Sequence, residues 1–156
     1  MQRGNELEPF AREYISTYVG VEFLETGWLQ SEENELLGVS PDGITEDYKQ
    51  SCEIKCLGRK AHYDILIENE IPLDKIPQCI HYFTVNPDLE KHYFIAFRPE
   101  APKHFIKELT RDSIVNIGTK AKPIKKTISE CVEIARKNAD KLLEKINKQK
   151  LAFNDF

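Results

Sequence analysis

Long apolar runs are missing from this chain of 156 residues. No stretch approaches the roughly 20 apolar residues that span a bilayer. The opening Met1-Gln2-Arg3-Gly4-Asn5-Glu6 leads into no apolar segment. Neither a membrane anchor nor a secretory signal is therefore expected. Cysteine is scarce, and Cys52, Cys56, Cys79 and Cys131 are scattered. Cys52 and Cys56 stand four apart, but Cys79 and Cys131 have no paired spacing, which argues against a disulfide framework and against an iron–sulfur cluster. Free thiols in a reducing cytoplasm are the expectation. His62, His81, His92 and His104 show no ligand spacing such as H-x-x-x-H. Their expected roles are structural, although His81 lies on a helix that could face a site. No internal repeat and no long linker interrupts the chain, so residues 1–156 are expected to form one domain.

An excess of positive charge is also lacking, since the net charge is −4. The average hides a division. Residues 99–150 carry 13 Lys and Arg against 7 Asp and Glu, a local +6, whereas residues 1–98 carry 9 against 18, a local −9. A basic C-terminal third is what phosphate binding requires. Its alternative reading is a solvated helix face.

Periodicity supplies the elements. Leu7, Phe10, Ala11, Tyr14, Ile15 and Tyr18 recur at threes and fours, which predicts a helix over 3–19 with one buried stripe. Pro9 is placed near its start, where a missing N–H costs little, and Gly20 ends it. Strands are expected over 21–30 and 35–40, joined by the polar turn Ser31-Glu32-Glu33-Asn34, then over 44–47 and 52–57. Helices follow at 59–69, with Ala61, Ile65 and Leu66 inward, and at 74–85. Strands follow at 93–97 and 103–109. A long amphipathic helix is expected over 124–148, carrying Ile124, Ile128, Cys131, Val132, Ala135, Ala139, Leu142, Leu143 and Ile146. The order implies an α/β fold with a mixed sheet.

One stretch carries chemistry. Gly38-Val39-Ser40-Pro41-Asp42-Gly43 is a turn that delivers one carboxylate. Eleven residues after Asp42 comes Glu53-Ile54-Lys55 on an expected strand. Alternation puts Glu53 and Lys55 on one face and turns Ile54 into the core. Two carboxylates held close together repel unless a cation separates them. Hard oxygen ligands suit Mg²⁺ or Mn²⁺, and an adjacent lysine can orient or activate a water for attack on a phosphodiester. Taken alone, Asp42 is an ordinary turn residue, and Glu53 with Lys55 an exposed pair. Their conjunction makes a nuclease constellation.

These motifs resemble a known family. Arg3-Gly4-Asn5-Glu6-Leu7-Glu8-Pro9, Gly38 to Gly43, Glu53-Ile54-Lys55-Cys56 and Pro77-Gln78 occur in the order and context of the YqaJ-type viral recombinases, the lambda-exonuclease branch of the PD-(D/E)XK nucleases. The resemblance covers most of residues 3–98, leaving the basic part at about 99–150 without a matching motif. It implies a restriction-endonuclease-like core with a mixed central sheet flanked by helices. It also implies a magnesium-dependent exonuclease, with Mn²⁺ as the alternative ion, that digests one strand of linear double-stranded DNA 5′ to 3′. Such proteins act as homotrimers beside a single-strand annealing protein in phage recombination, here in a bacterial or phage-infected cytoplasm. Carried over, Asp42, Glu53 and the Ile54 backbone carbonyl would bind metal. Lys55 would position the attacking water. Glu8 would bind a second metal or its water, and Gln78 would steady the site or the scissile phosphate. Family members have a substantial segment before the Arg-Gly-x-Glu motif that contacts the 5′ end. Here Met1 stands two residues before Arg3, as in a fragment or a minimal member. An endonuclease on the same core and a catalytically weak subunit that binds DNA ends are the alternatives.

Overall fold

The computed structural model describes residues 2–154, with side chains for 4–153. The motif residue Arg3 therefore has its side chain outside the described residues. Helix α1 spans Gln2–Val19, followed by the short strands β1 (Leu29–Gln30), β2 (Gly38–Val39) and β3 (Gly43–Ile44), and then β4 (Gln50–Lys55). Next come α2 (Arg59–Glu68), a 3₁₀ turn at Leu73–Lys75, α3 (Ile76–Val85), β5 (Lys91–Ala96) and β6 (Phe105–Thr110). The hairpin β7 (Ile114–Asn116) and β8 (Lys125–Thr127) leads into α4 (Ile128–Asn154).

The main sheet has the order β3-β4-β5-β6. Its β4–β5 pair is parallel, with Glu53 opposite Phe94, and the other two pairs are antiparallel. A parallel pair needs a crossover, and α2 and α3 make it. Alternation sorts the sheet's side chains into two cores. Cys52, Ile54, Tyr93, Ile95 and Phe97 pack with Ala11 and Ile15 of α1. On the other side Phe94, Ala96, Phe105 and Leu109 join Ile65 of α2, Tyr82 and Phe83 of α3, and Ile128 and Val132 of α4. The expected mixed sheet flanked by helices is present.

Several expectations change in detail. The strand expected over 21–30 reduces to Leu29–Gln30, with one isolated bridge between Leu24 and Ile44. That expected over 35–40 reduces to Gly38–Val39. The turn between them is real, because Ser31 Oγ accepts the N–H groups of Glu33 and Asn34. Helix α1 buries a narrower stripe than predicted: Ala11 and Ile15 are fully inside, whereas Phe10 and Tyr18 are 62% and 66% exposed. The helix begins before Arg3, so Pro9 lies in its interior and not in its first turn. Gly20 caps it as expected, with φ +79° and its N–H on the Ser16 carbonyl. In α2 the inward residues are Ile65 and His62, with Ala61 exposed. Ile124 precedes β8 and is exposed, and α4 starts four residues later. Thr127 and Glu130 cap α4 reciprocally: Thr127 Oγ1 accepts the Glu130 N–H, and Glu130 Oε2 accepts the Thr127 N–H.

Candidate active site

Backbone pairing brings the aspartate turn to β4. The Asp42 N–H donates to the Cys52 carbonyl at 3.2 Å, and Asp42 Oδ2 accepts the Ile54 N–H at 2.7 Å. The carboxylate is thus fixed from two sides to the strand that bears Glu53. The approach is close enough to require glycine next door. A Cβ on Gly43 would stand 2.8 Å from Cys52 Sγ and 3.0 Å from Phe23 Cβ.

Strand β4 delivers the rest as alternation predicts. Ile54 points into the α1 core. Glu53, only 3% exposed, lies on the opposite face, where the Lys55 ammonium and the Tyr82 hydroxyl both donate to its carboxylate. Burial, with repulsion from Glu53 and Glu8, pushes Asp42 up to about 6, although the Ile54 N–H and Lys55 oppose the shift. Two acids therefore share a desolvated place in which one ammonium balances them only in part.

The other expected residues divide. Gln78 on α3 reaches the site through Tyr82, whose hydroxyl it meets one helical turn away. Glu8 stands near enough to Asp42 to raise it, but its own partner is Arg12, at 2.6 Å. His81 does not join. Its ring N–H donates to the Gly38 carbonyl at 2.8 Å and ties α3 to β2. Cys52, Cys79 and Cys131 are free thiols, and burial pushes Cys79 up to about 12 and Cys52 higher still, which disfavours the thiolate that a nucleophile needs.

Two residues went unseen in the sequence. Tyr82 is a buried donor to Glu53. Arg12 donates from Nε to the Asp42 carbonyl and from a terminal nitrogen to Glu8, each at 2.6 Å. Both stand four residues after a predicted site residue on the same helix, Gln78 and Glu8. That spacing was the available signal.

The donor set can be weighed against a divalent ion. Among the described residues no group of three or more His, Cys, Asp or Glu side chains is arranged to hold one. Asp42, Glu53 and a strand carbonyl remain. Such a set fits Mg²⁺, which commonly takes one or two carboxylates and keeps several waters.

A family model described as the YqaJ-like viral recombinase domain matches residues 1–87. The alkaline exonuclease LHK-Exo from Laribacter hongkongensis has a similar structure, with a TM-score of 0.64 and 20% identity over 98% of this chain and 75% of that one. A structure of LHK-Exo in complex with dAMP gives 0.63 and 20%, covering 98% and 74%. The likeness is one of fold. No curated protein matches the chain in sequence.

Proposed function

Because this chain belongs to the YqaJ-like viral recombinase domain family, we propose that it is a metal-dependent DNA exonuclease of phage-type recombination. Its fold is the PD-(D/E)XK restriction-endonuclease-like core, with a mixed sheet flanked by helices. In this reading the chain acts as one nuclease domain over residues 1–156. It digests one strand of linear duplex DNA from the 5′ end, in the cytoplasm, as a homotrimer beside a single-strand annealing protein.

The observation that carries the reading is the juxtaposition of the half-buried Asp42 with the buried Glu53, two acids whose mutual repulsion calls for a cation. Asp42, Glu53 and the Ile54 carbonyl would hold Mg²⁺, with Mn²⁺ as the alternative, and Glu8 would serve a second ion or its water. The bound ion would supply positive charge to the phosphate and acidity to a water. Lys55, already on Glu53, would orient the attacking water and keep positive charge beside the phosphate. Tyr82 and Gln78 would hold the Glu53 carboxylate in place. Among the described residues no helix is long and apolar enough to cross a membrane.

End-labelled linear duplex, followed in time with Mg²⁺ and with EDTA, tests the activity and its polarity. Nucleotides should be released from linear ends only with the metal, while closed circles survive. Glu53→Gln and Lys55→Ala should each lower the rate on the order of 10²–10⁴-fold while the melting transition is retained. Full activity in both variants would refute the site. Light scattering checks the assembly, and a mass near the 18.1 kDa of one chain would refute the trimer.

A further inference from the structure

Arg12 makes contacts that a simple helix-surface ion pair would not. Its residue is 9% exposed, so a charge has been placed in the interior beside the site. A buried guanidinium is tolerated only when its N–H groups are matched. Here they reach Glu8 on its own helix and the backbone of Asp42, 30 residues further along the chain. One terminal nitrogen holds Glu8 Oε1, one turn earlier on α1, at 2.6 Å. Nε holds the backbone carbonyl of Asp42, also at 2.6 Å. The other terminal nitrogen faces the exposed Glu25 at 3.6 Å. The side-chain stem runs beside Gly43, with Arg12 Cγ 3.4 Å from where a Cβ on that glycine would be.

We infer that Arg12 is a positioning residue that joins Glu8 to the aspartate turn, so that α1 and the turn present their acids to the ion site as a unit. This rests on the ion-site reading above. The carbonyl and the carboxylate of Asp42 are held by different elements, Arg12 and the Ile54 N–H, and together they fix the residue's orientation. Glu8 would otherwise be free to swing away from an acid that repels it. Arginine is required because its planar fork makes both bonds in fixed directions at once. The three donors of a lysine ammonium radiate from one nitrogen, so they do not reproduce the two separate nitrogens with which Arg12 reaches Asp42 and Glu8.

The test is Mn²⁺ binding by isothermal titration to the full chain and to Arg12→Lys, Glu8→Gln and the double variant, with thermal melts in EDTA alongside. Arg12→Lys keeps the charge and loses the fork. It should bind Mn²⁺ about tenfold more weakly, a loss of roughly 1.4 kcal/mol, with a melt close to that of wild type. On the Glu8→Gln background the same change should cost distinctly less, because half of what Arg12 joins is gone. In Arg12→Ala, free guanidinium at millimolar concentration should restore Mn²⁺ affinity where sodium does not. Undiminished Mn²⁺ affinity in Arg12→Lys overturns the inference, as does an equal loss with and without Glu8. Wild-type protein that takes up no Mn²⁺ overturns the ion site itself, which separates that failure from this one.

Discussion

Tyr82 is 2% exposed, and its hydroxyl donates to Glu53 while its ring stacks 4.4 Å from His92. A phenol in that position has no surplus freedom. Burial and the adjacent Glu53 carboxylate push its proton affinity far up, so it stays a donor at any working pH. Glu53 then has two donors, Tyr82 and Lys55, which fix the direction of its carboxylate from two sides. Tyr82→Phe keeps the ring and its stacking but deletes one donor. A hydrogen bond to a charged group contributes about 1.5–3 kcal/mol. Cleavage at saturating DNA should therefore fall by about ten- to a hundredfold, with KM for DNA little changed, because the hydroxyl touches a carboxylate and not the duplex. Steady-state rates on linear duplex check this. A variant with an unaltered kcat would show that Lys55 alone suffices to hold Glu53.

Strand β5 is buried on both faces, and it carries a titratable group with it. His92 is fully enclosed, shares a 2.9 Å hydrogen bond with Ser51 through Nδ1, and leaves Nε2 without a partner among the described residues. Burial holds it down at about 3, against an ordinary 6.5. The unfolded chain takes up a proton below about 6.5 that the native chain refuses. This contribution to stability is whole above that pH and is lost as pH falls toward 3, by up to about 1.4 kcal/mol per pH unit. Urea midpoints at pH 7 and pH 5 should show the loss, and His92→Phe should flatten the difference while costing about 1 kcal/mol at pH 7 for the abandoned Ser51 hydroxyl. An equally steep acid limb in that variant would assign the sensitivity elsewhere. The same strand explains which elements were legible. Tyr93 to Phe97 reads as buried because both faces are covered, and Glu53 with Lys55 falls on one face by alternation alone. The small strands were harder. In the β7–β8 hairpin only Val115 is buried, and Lys125-Lys126 offers no alternation, so the hairpin is held by its loop, where Asn116 Oδ1 accepts the N–H groups of Gly118 and Ile124. The start of α4 did carry a signal, the Thr-x-x-Glu box at Thr127 to Glu130, which outranks the apolar Ile124 as a helix boundary. The stripe of α1 misled because aromatic residues at helical spacing mark a face without saying whether anything covers it. Tyr14 packs on Phe97 and His104, while Phe10 and Tyr18 stay largely in solvent. Tyr82 escaped for a related reason, since a helix read alone does not reveal which residues meet the neighbouring strand.

Across the whole molecule, charge is divided between an acidic first part and a basic C-terminal third. The acids of the first 98 residues include Asp42 and Glu53, whose mutual repulsion helps to raise Asp42. The basic third lies on β6, the β7–β8 hairpin and α4. Lys122 and Lys125 are exposed and Lys126 is half-buried, at or next to β8. Among the described residues none of the three forms an ion pair within 4 Å, unlike Lys120, which holds Glu68 at 3.0 Å. Lysines without an ion-pair partner on an exposed hairpin can meet phosphate without first breaking a bond. Neutralising a phosphate releases condensed counterions, so each phosphate neutralised adds about 0.9 to the slope of log K against log salt for duplex DNA. Lys122→Glu, Lys125→Glu and Lys126→Glu combined should weaken duplex binding. The slope should flatten by about 0.9 for each phosphate left without its lysine, up to about three of them. The chemistry should be spared once DNA is saturating, because the substitutions lie on a different hairpin from Asp42 and Glu53. Fluorescence anisotropy with a labelled duplex across a salt series, in EDTA to prevent cleavage, measures the slope directly. An unchanged slope in the triple variant would show that this hairpin is only a solvated edge, and that the duplex is held by another face.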